Sequence, residues 1–206
     1  MKIERNTDTE QMILETAERL FLEKGFSMTS TTEIAKQVGC NQALVHYYFR
    51  TKEKLFEAIF IKKTTMFVSP LLQSYDLSVS FEERLKKLIE AHFDLIRANP
   101  NVPFLFFNEL LTNPSRVNSL KEQATGIYRM ALAKIDTDLN LEIQKGTIRP
   151  MRTIDLLLTI FSLNVTLFLG LPILKNAVDF SEEELTTLIE NRKRENVIII
   201  LRALKP

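Results

Sequence analysis

One cysteine, two histidines, no tryptophan and only five glycines occur in 206 residues. A lone cysteine cannot make an internal disulfide, which suits a reducing cytoplasm. So few His and Cys side chains leave no cluster with metal-ligand spacing. So few glycines leave no loop to cradle a phosphate, and GxSxG is absent as well. The carboxylates are scattered, mostly on solvated helix faces. These gaps argue against an enzyme and against any cofactor or metal. An excess of one charge is also missing: the net charge is +1, and the cations and anions of residues 1–56 balance. Only the distribution is uneven, with Lys36, Arg50, Lys52 and Lys54 gathered around short segments and the acids concentrated upstream of them. The opening MKIERNTDTEQ has no apolar core and does not read as a secretory signal.

Period-two strand alternation is nearly absent, and helix signals fill the chain. Thr7 with Glu10, Ser30 with Glu33, Ser80 with Glu83 and Ser181 with Glu184 have capping-box spacing. Asn41 and Thr51 are good N-caps, and Gly25, Gly39 and Gly146 suit helix C-termini. Apolar residues recur at helical spacing between these signals, as in Ile13, Ala17, Leu20 and Phe21, or Leu85, Leu88, Ile89, His92, Leu95 and Ile96. Pro70 is expected to end or bend the fourth helix. The fold class is all-α, with about nine helices. The expected division is an N-terminal three-helix helix-turn-helix domain over 1–50 and a larger helical ligand-binding and dimerisation domain over 51–206. A helix from 52 to about 75 connects them.

Residues 10–56 carry the most specific pattern. Two short amphipathic segments joined by Gly39–Cys40–Asn41 have the form of a helix-turn-helix, whose second helix enters a DNA major groove. Val45 and Phe49 are its inward anchors, leaving Gln42, Ala43, Leu44, His46 and Tyr47 outward. Gln42 can read adenine through a two-point amide contact, or any base more loosely. Ala43 permits close approach, Leu44 can touch a thymine methyl, and His46 and Tyr47 can donate to phosphates or base edges. Lys52 adds charge to a helix N-terminus that already favours phosphate, and Thr29 and Thr31 can donate hydroxyls to the backbone. Such phosphate contacts supply affinity and register rather than sequence choice.

Gly25–Phe26, Thr29–Ser30–Thr31, Ile34–Ala35, Gly39, Tyr47–Tyr48–Phe49 and Lys52–Glu53–Lys54–Leu55 together resemble the N-terminal signature of the TetR family of transcriptional regulators. The resemblance covers roughly the first quarter of the chain. It implies a three-helix DNA-binding domain joined through the fourth helix to a ligand-binding and dimerisation domain, with Thr29, Thr31, Gln42, Ala43, Leu44, His46, Tyr47 and Lys52 at the DNA. Two positions depart from the family pattern: His46 stands where Tyr is more usual, and Leu44 where Thr is frequent. These changes imply a different operator rather than loss of DNA binding.

The remaining features admit two readings each. Cys40 could be a redox switch, but a small apolar residue in a turn is the plainer account, since no second thiol can resolve it. His46 could sense pH, against a simple DNA-facing donor. His92 could be a satisfied core histidine or a ligand contact, and Glu109 an exposed or ion-paired acid or a partner for a ligand cation. The 14 phenylalanines could be core alone or could line a cavity for an apolar effector. Candidate ligand residues are His92, Phe93, Phe107, Asn108, Tyr128, Asn164 and Phe168.

Leu156–Leu174 contains no charge and approaches the length of a membrane span. Thr159, Ser162, Asn164, Thr166 and Pro172 interrupt it, so a buried helix of a soluble bundle or dimer interface is the better reading. With the run Val197–Ile198–Ile199–Ile200–Leu201, it suggests homodimer contact through the helices near 153–175 and 181–204. The sequence thus leads to a cytoplasmic, ligand-responsive regulator, most simply a homodimeric repressor that binds a palindromic operator and is released by a small, largely apolar effector. The rival is a soluble all-α carrier of an apolar ligand that never touches DNA.

Overall fold

Caps and apolar spacing translate into nine α-helices and no strand among the described residues of the computed structural model. Those residues are 2–73, 76 and 78–206, with side chains described for 8–68, 76, 78–113, 126 and 128–206. The helices are α1 (Lys2–Lys24), α2 (Thr31–Val38), α3 (Gln42–Phe49), α4 (Lys52–Gln73), α5 (Phe81–Ala98), α6 (Asn101–Thr112), α7 (Pro114–Gln144), α8 (Thr153–Ala177) and α9 (Glu182–Ala203).

The caps act where orphan backbone N–H groups need acceptors. Ser30, Ser80 and Ser181 hydroxyls accept from the backbone N–H of Glu33, Glu83 and Glu184. Only Glu184 returns the bond, accepting from Ser181 N–H at 2.8 Å. Glu33 instead pairs with Lys24, so α2 begins with half a capping box. Asn41 accepts from Leu44 N–H at 2.9 Å and Thr51 from Lys54 N–H at 3.2 Å. Each such cap stabilises its helix by about 1 kcal/mol. Gly39, at φ +77°, closes α2 in a left-handed conformation that a side chain would resist.

The start of α1 differs from the sequence expectation, and α4 is not ended by Pro70. α1 starts at Lys2, ahead of the Thr7–Glu10 box, and the Thr7 side chain lies outside the described residues. α4 continues through Pro70 to Gln73, because a proline in the last turn removes a single helical hydrogen bond there.

The chain divides into two compact units. The first comprises residues 1–65 and 104–124. Its core joins α1 (Ile13, Ala17, Leu20, Phe21), α2 (Ile34, Ala35), Val45 of α3, α4 (Leu55, Phe56, Ile59) and Leu105 of α6. Phe21, Phe26 and Phe56 form a ring triad with centroids 5.3–5.7 Å apart. Glu109 is buried in this unit rather than exposed, and accepts from the Asn113 amide at 3.3 Å.

The second unit comprises residues 66–103 and 125–206. One core cluster brings α5, α7, α8 and α9 together through Leu85, Ile89, Ile135, Leu139, Leu156, Ile160, Val197 and Ile200. A second holds Phe93, Ile96, Val165, Phe168 and Ile189. Arg84 and Asp138 form a buried ion pair, with Arg84 Nη2 donating to Asp138 Oδ1 at 2.6 Å.

By length and composition α8 could cross a membrane. Its polar Asn164 is fully buried, however, and donates to the Ile89 carbonyl of α5 at 3.0 Å, as a bundle helix does. On its outer side Ile154, Leu158, Phe161, Leu169 and Ile173 are exposed, as are Ile198 and Ile199 of α9.

Candidate nucleic-acid interface

α3 is fixed from below and open above. Val45 is 2% exposed, and Tyr48 and Phe49 pack against the first core. Gln42, Ala43, His46 and Tyr47 are exposed, and Leu44 is half-buried. The i, i+3 and i+4 spacing of Val45, Tyr48 and Phe49 puts all three on the same face, which leaves the opposite face free.

Hydrogen bonds order that free face. Arg50 takes φ +63°, and Thr51 N–H donates to the Phe49 carbonyl at 2.7 Å across it. This is a γ-turn with a strained centre, and no other described non-glycine residue has a positive φ. The turn aims the Arg50 carbonyl at the His46 ring, whose Nδ1 lies 2.9 Å away. A carbonyl only accepts, so Nδ1 carries the hydrogen and Nε2 of the neutral ring is an acceptor. Gln42 Nε2 lies 3.3 Å from that nitrogen and donates its other hydrogen to Thr31 Oγ1 at 2.9 Å. Thr31, Gln42, His46 and Arg50 therefore form one chain of hydrogen bonds from α2 to the end of α3.

An open depression of about 440 Å3 lies beside this chain, lined by Ser27 to Thr31, His46 and Arg50 to Glu53. Two of the sequence-derived contact residues line it but turn their polar ends to backbone carbonyls. Thr29 is 2% exposed, and its hydroxyl lies within hydrogen-bonding reach of the Gly25 and Leu20 carbonyls at 2.9 and 3.2 Å. Lys52 is half-buried; its Nζ donates to the Phe26 and Thr29 carbonyls at 2.9 Å each and sits 4.1 Å from the Phe26 ring centre. Spacing alone could not have distinguished this lysine from one reaching outward, because the carbonyls it binds lie in the α1–α2 turn. Cys40 packs half-buried against the first core, and burial pushes its thiol pKa up, as fits a small apolar turn residue.

The ligand candidates separate. In the second unit Phe93 and Phe168 pair edge-on with centroids 5.1 Å apart. His92 and Asn164 meet, with the Asn164 amide donating to His92 Nδ1 at 3.1 Å. Phe67 and Phe161 flank the His92 ring at 6.3 and 6.2 Å. Burial lowers the His92 pKa to about 4, so the ring is neutral at physiological pH. Tyr128 is exposed in this unit, and Phe107 and Asn108 are exposed in the first.

Asn196 was missed by sequence reading. It is fully buried, donates to Asn164 Oδ1 at 2.9 Å and to the Leu163 carbonyl at 3.0 Å, and leaves its own Oδ1 without a hydrogen-bond partner. Its position seven residues after the buried Ile189 was the available signal.

Comparison with known proteins agrees with the geometry. Residues 13–59 match the family described as bacterial regulatory proteins, tetR family. A fatty acid metabolism regulator protein of Bacillus subtilis (strain 168) is 25% identical over 137 residues, which is 66% of this chain and 69% of the relative. The chain spans about half the length of several other curated relatives it matches. Among solved structures, a bacterial regulatory protein in the tetR family from Rhodococcus RHA1 superposes with a TM-score of 0.73 at 18% identity, covering 96% of this chain and 97% of the other. The fatty acid degradation regulator FadR from Bacillus halodurans superposes with a TM-score of 0.65 at 20% identity, covering 92% and 94%. The match to the tetR family of bacterial regulatory proteins thus lies in the N-terminal helices, over residues 13–59.

Proposed function

We propose that the protein is a ligand-responsive transcriptional repressor that binds a palindromic operator as a homodimer in the cytoplasm. The observation that carries this reading is the free face of α3: Gln42, Ala43, His46 and Tyr47 stand exposed on a short helix whose opposite face is locked into the core. Thr31 and Arg50 extend that face, while Thr29 and Lys52 support it from within.

In this reading residues 1–50 bind DNA and residues 51–206 bind effector and partner subunit, with α4 linking the two. The exposed apolar residues of α8 and α9 favour a two-fold interface that would cover them in a four-helix bundle. Two recognition helices then meet half-sites about 34–36 Å apart. The effector is small and largely apolar. Support comes from the phenylalanines around His92, Asn164 and Asn196, where the unpartnered Asn196 Oδ1 suits a ligand hydroxyl or N–H. The names of the fatty acid regulators among its relatives agree with an acyl-type compound. An effector preferring one dimer geometry by about 3 kcal/mol would weaken operator binding more than 100-fold.

The test is a gel shift of the full-length protein on a palindrome from its own upstream region, over a range of salt. Binding that weakens steeply with salt is expected. Absent or salt-insensitive binding would favour the apolar-ligand carrier.

A further inference from the structure

We infer that His46 fixes the Gln42 amide so that Gln42 reads DNA as a hydrogen-bond acceptor alone. The inference rests on α3 facing the major groove, as proposed above, and follows from the donor and acceptor accounting along that face. The Arg50 carbonyl assigns the hydrogen to His46 Nδ1. In the neutral ring this leaves His46 Nε2 an acceptor, and the atom of Gln42 that meets it is the amide nitrogen. The second amide hydrogen goes to Thr31 Oγ1. Both donors of Gln42 are used within the protein, and Oε1 is the atom left for a ligand.

That arrangement changes what the residue can recognise. Two-point recognition of adenine needs one amide hydrogen for N7 and the carbonyl oxygen for the N6 amino group. Here only the second contact is available without breaking a bond to His46 or Thr31. Releasing the bond to His46 would cost that hydrogen bond and leave Nε2 to find another donor. A lone acceptor pairs with the amino group of adenine or of cytosine, and opposes the O6 and N7 of guanine and the O4 of thymine. The expected specificity at this position is adenine or cytosine, indifferent to N7. His46 is a positioning residue here; it acts through Gln42.

The experiment selects duplexes from a randomised palindromic pool with the full-length wild-type, Gln42→Ala and His46→Phe proteins. The position read by Gln42 is the one whose preference vanishes in Gln42→Ala. Wild type is expected to accept adenine and cytosine there and to disfavour guanine and thymine by about tenfold. Replacing the adenine by 7-deazaadenine, which lacks N7, should change wild-type affinity less than about twofold. His46→Phe frees an amide hydrogen, so it should narrow the choice to adenine and make binding about fivefold or more weaker on 7-deazaadenine. A merely structural role for His46 would not create that sensitivity. A wild-type protein already sensitive to 7-deazaadenine, a preference for guanine or thymine, a Gln42→Ala protein with unchanged selection, or a His46→Phe protein that selects like wild type would each overturn the inference. Failure of all three proteins to select any sequence would instead overturn the DNA-binding reading, and this inference with it.

Discussion

Lys52 Nζ lies 4.1 Å from the centre of the Phe26 ring and donates to the Phe26 carbonyl oxygen at 2.9 Å. The lysine is the first residue of α4, and the phenylalanine belongs to the turn that follows α1. One ammonium group thus ties two segments 26 residues apart and also holds the Thr29 carbonyl. Lys52→Ala should lower the stability of the folded protein by about 2 kcal/mol, through lost charge-assisted hydrogen bonds and a lost cation–π contact. Urea unfolding checks this. A variant as stable as wild type would return the lysine to a purely DNA-facing role.

Tyr47 behaves in the opposite way. It is 64% exposed and contacts Tyr48 edge-on with ring centroids 5.2 Å apart. Tyr47→Ala should leave the melting temperature within about a degree and weaken operator binding roughly tenfold, the loss of one interface contact. Fluorescence anisotropy on a labelled operator measures the second quantity and a thermal melt the first.

Arg50 holds a strained backbone at the edge of the proposed DNA-binding face. Its positive φ is costly for a side-chain-bearing residue, and glycine accepts it freely. Arg50→Gly should raise stability by about 0.5–1 kcal/mol while reducing operator affinity and the slope of its salt dependence, because a cation is removed from the groove. Unfolding curves and salt titrations on the same preparation separate the two effects.

His92 gives stability a pH dependence of predictable sign. Its pKa falls from an ordinary 6.5 to about 4 on burial. The unfolded chain therefore takes up the proton first as pH drops. The fold keeps its full stability above about pH 6.5 and loses it progressively toward pH 4, by about 3 kcal/mol at most from this group. His92→Phe should flatten that part of the profile. Unfolding free energies at a series of pH values and fixed protein concentration decide it.

Leu158 is 54% exposed on the outer side of α8. A charge there would be buried by a two-fold packing of α8 and α9 that covers this side, as proposed above. Leu158→Glu should shift the protein from dimer to monomer in sedimentation and weaken operator binding in parallel, since two half-sites need two recognition helices.

What neighbours along the chain dictate was legible before any coordinates. The nine helices follow from serine and asparagine caps, left-handed glycines and apolar stripes, all set within four or five residues of one another. The helix-turn-helix and the exposed edge of α3 follow from the same local periodicity. Directions of long polar side chains did not follow, because their partners are distant in sequence. Lys52 turns toward carbonyls 23 and 26 residues away, Asn196 toward Asn164 and Leu163 more than 30 residues away, and the Gln42 amide toward Thr31 of another helix. Periodicity says which face of a helix is buried. Which atom of a buried or half-buried polar group is left free depends on donors and acceptors that only packing brings within 3 Å, and in this protein that accounting separates the residues that hold the fold from those left to meet a ligand.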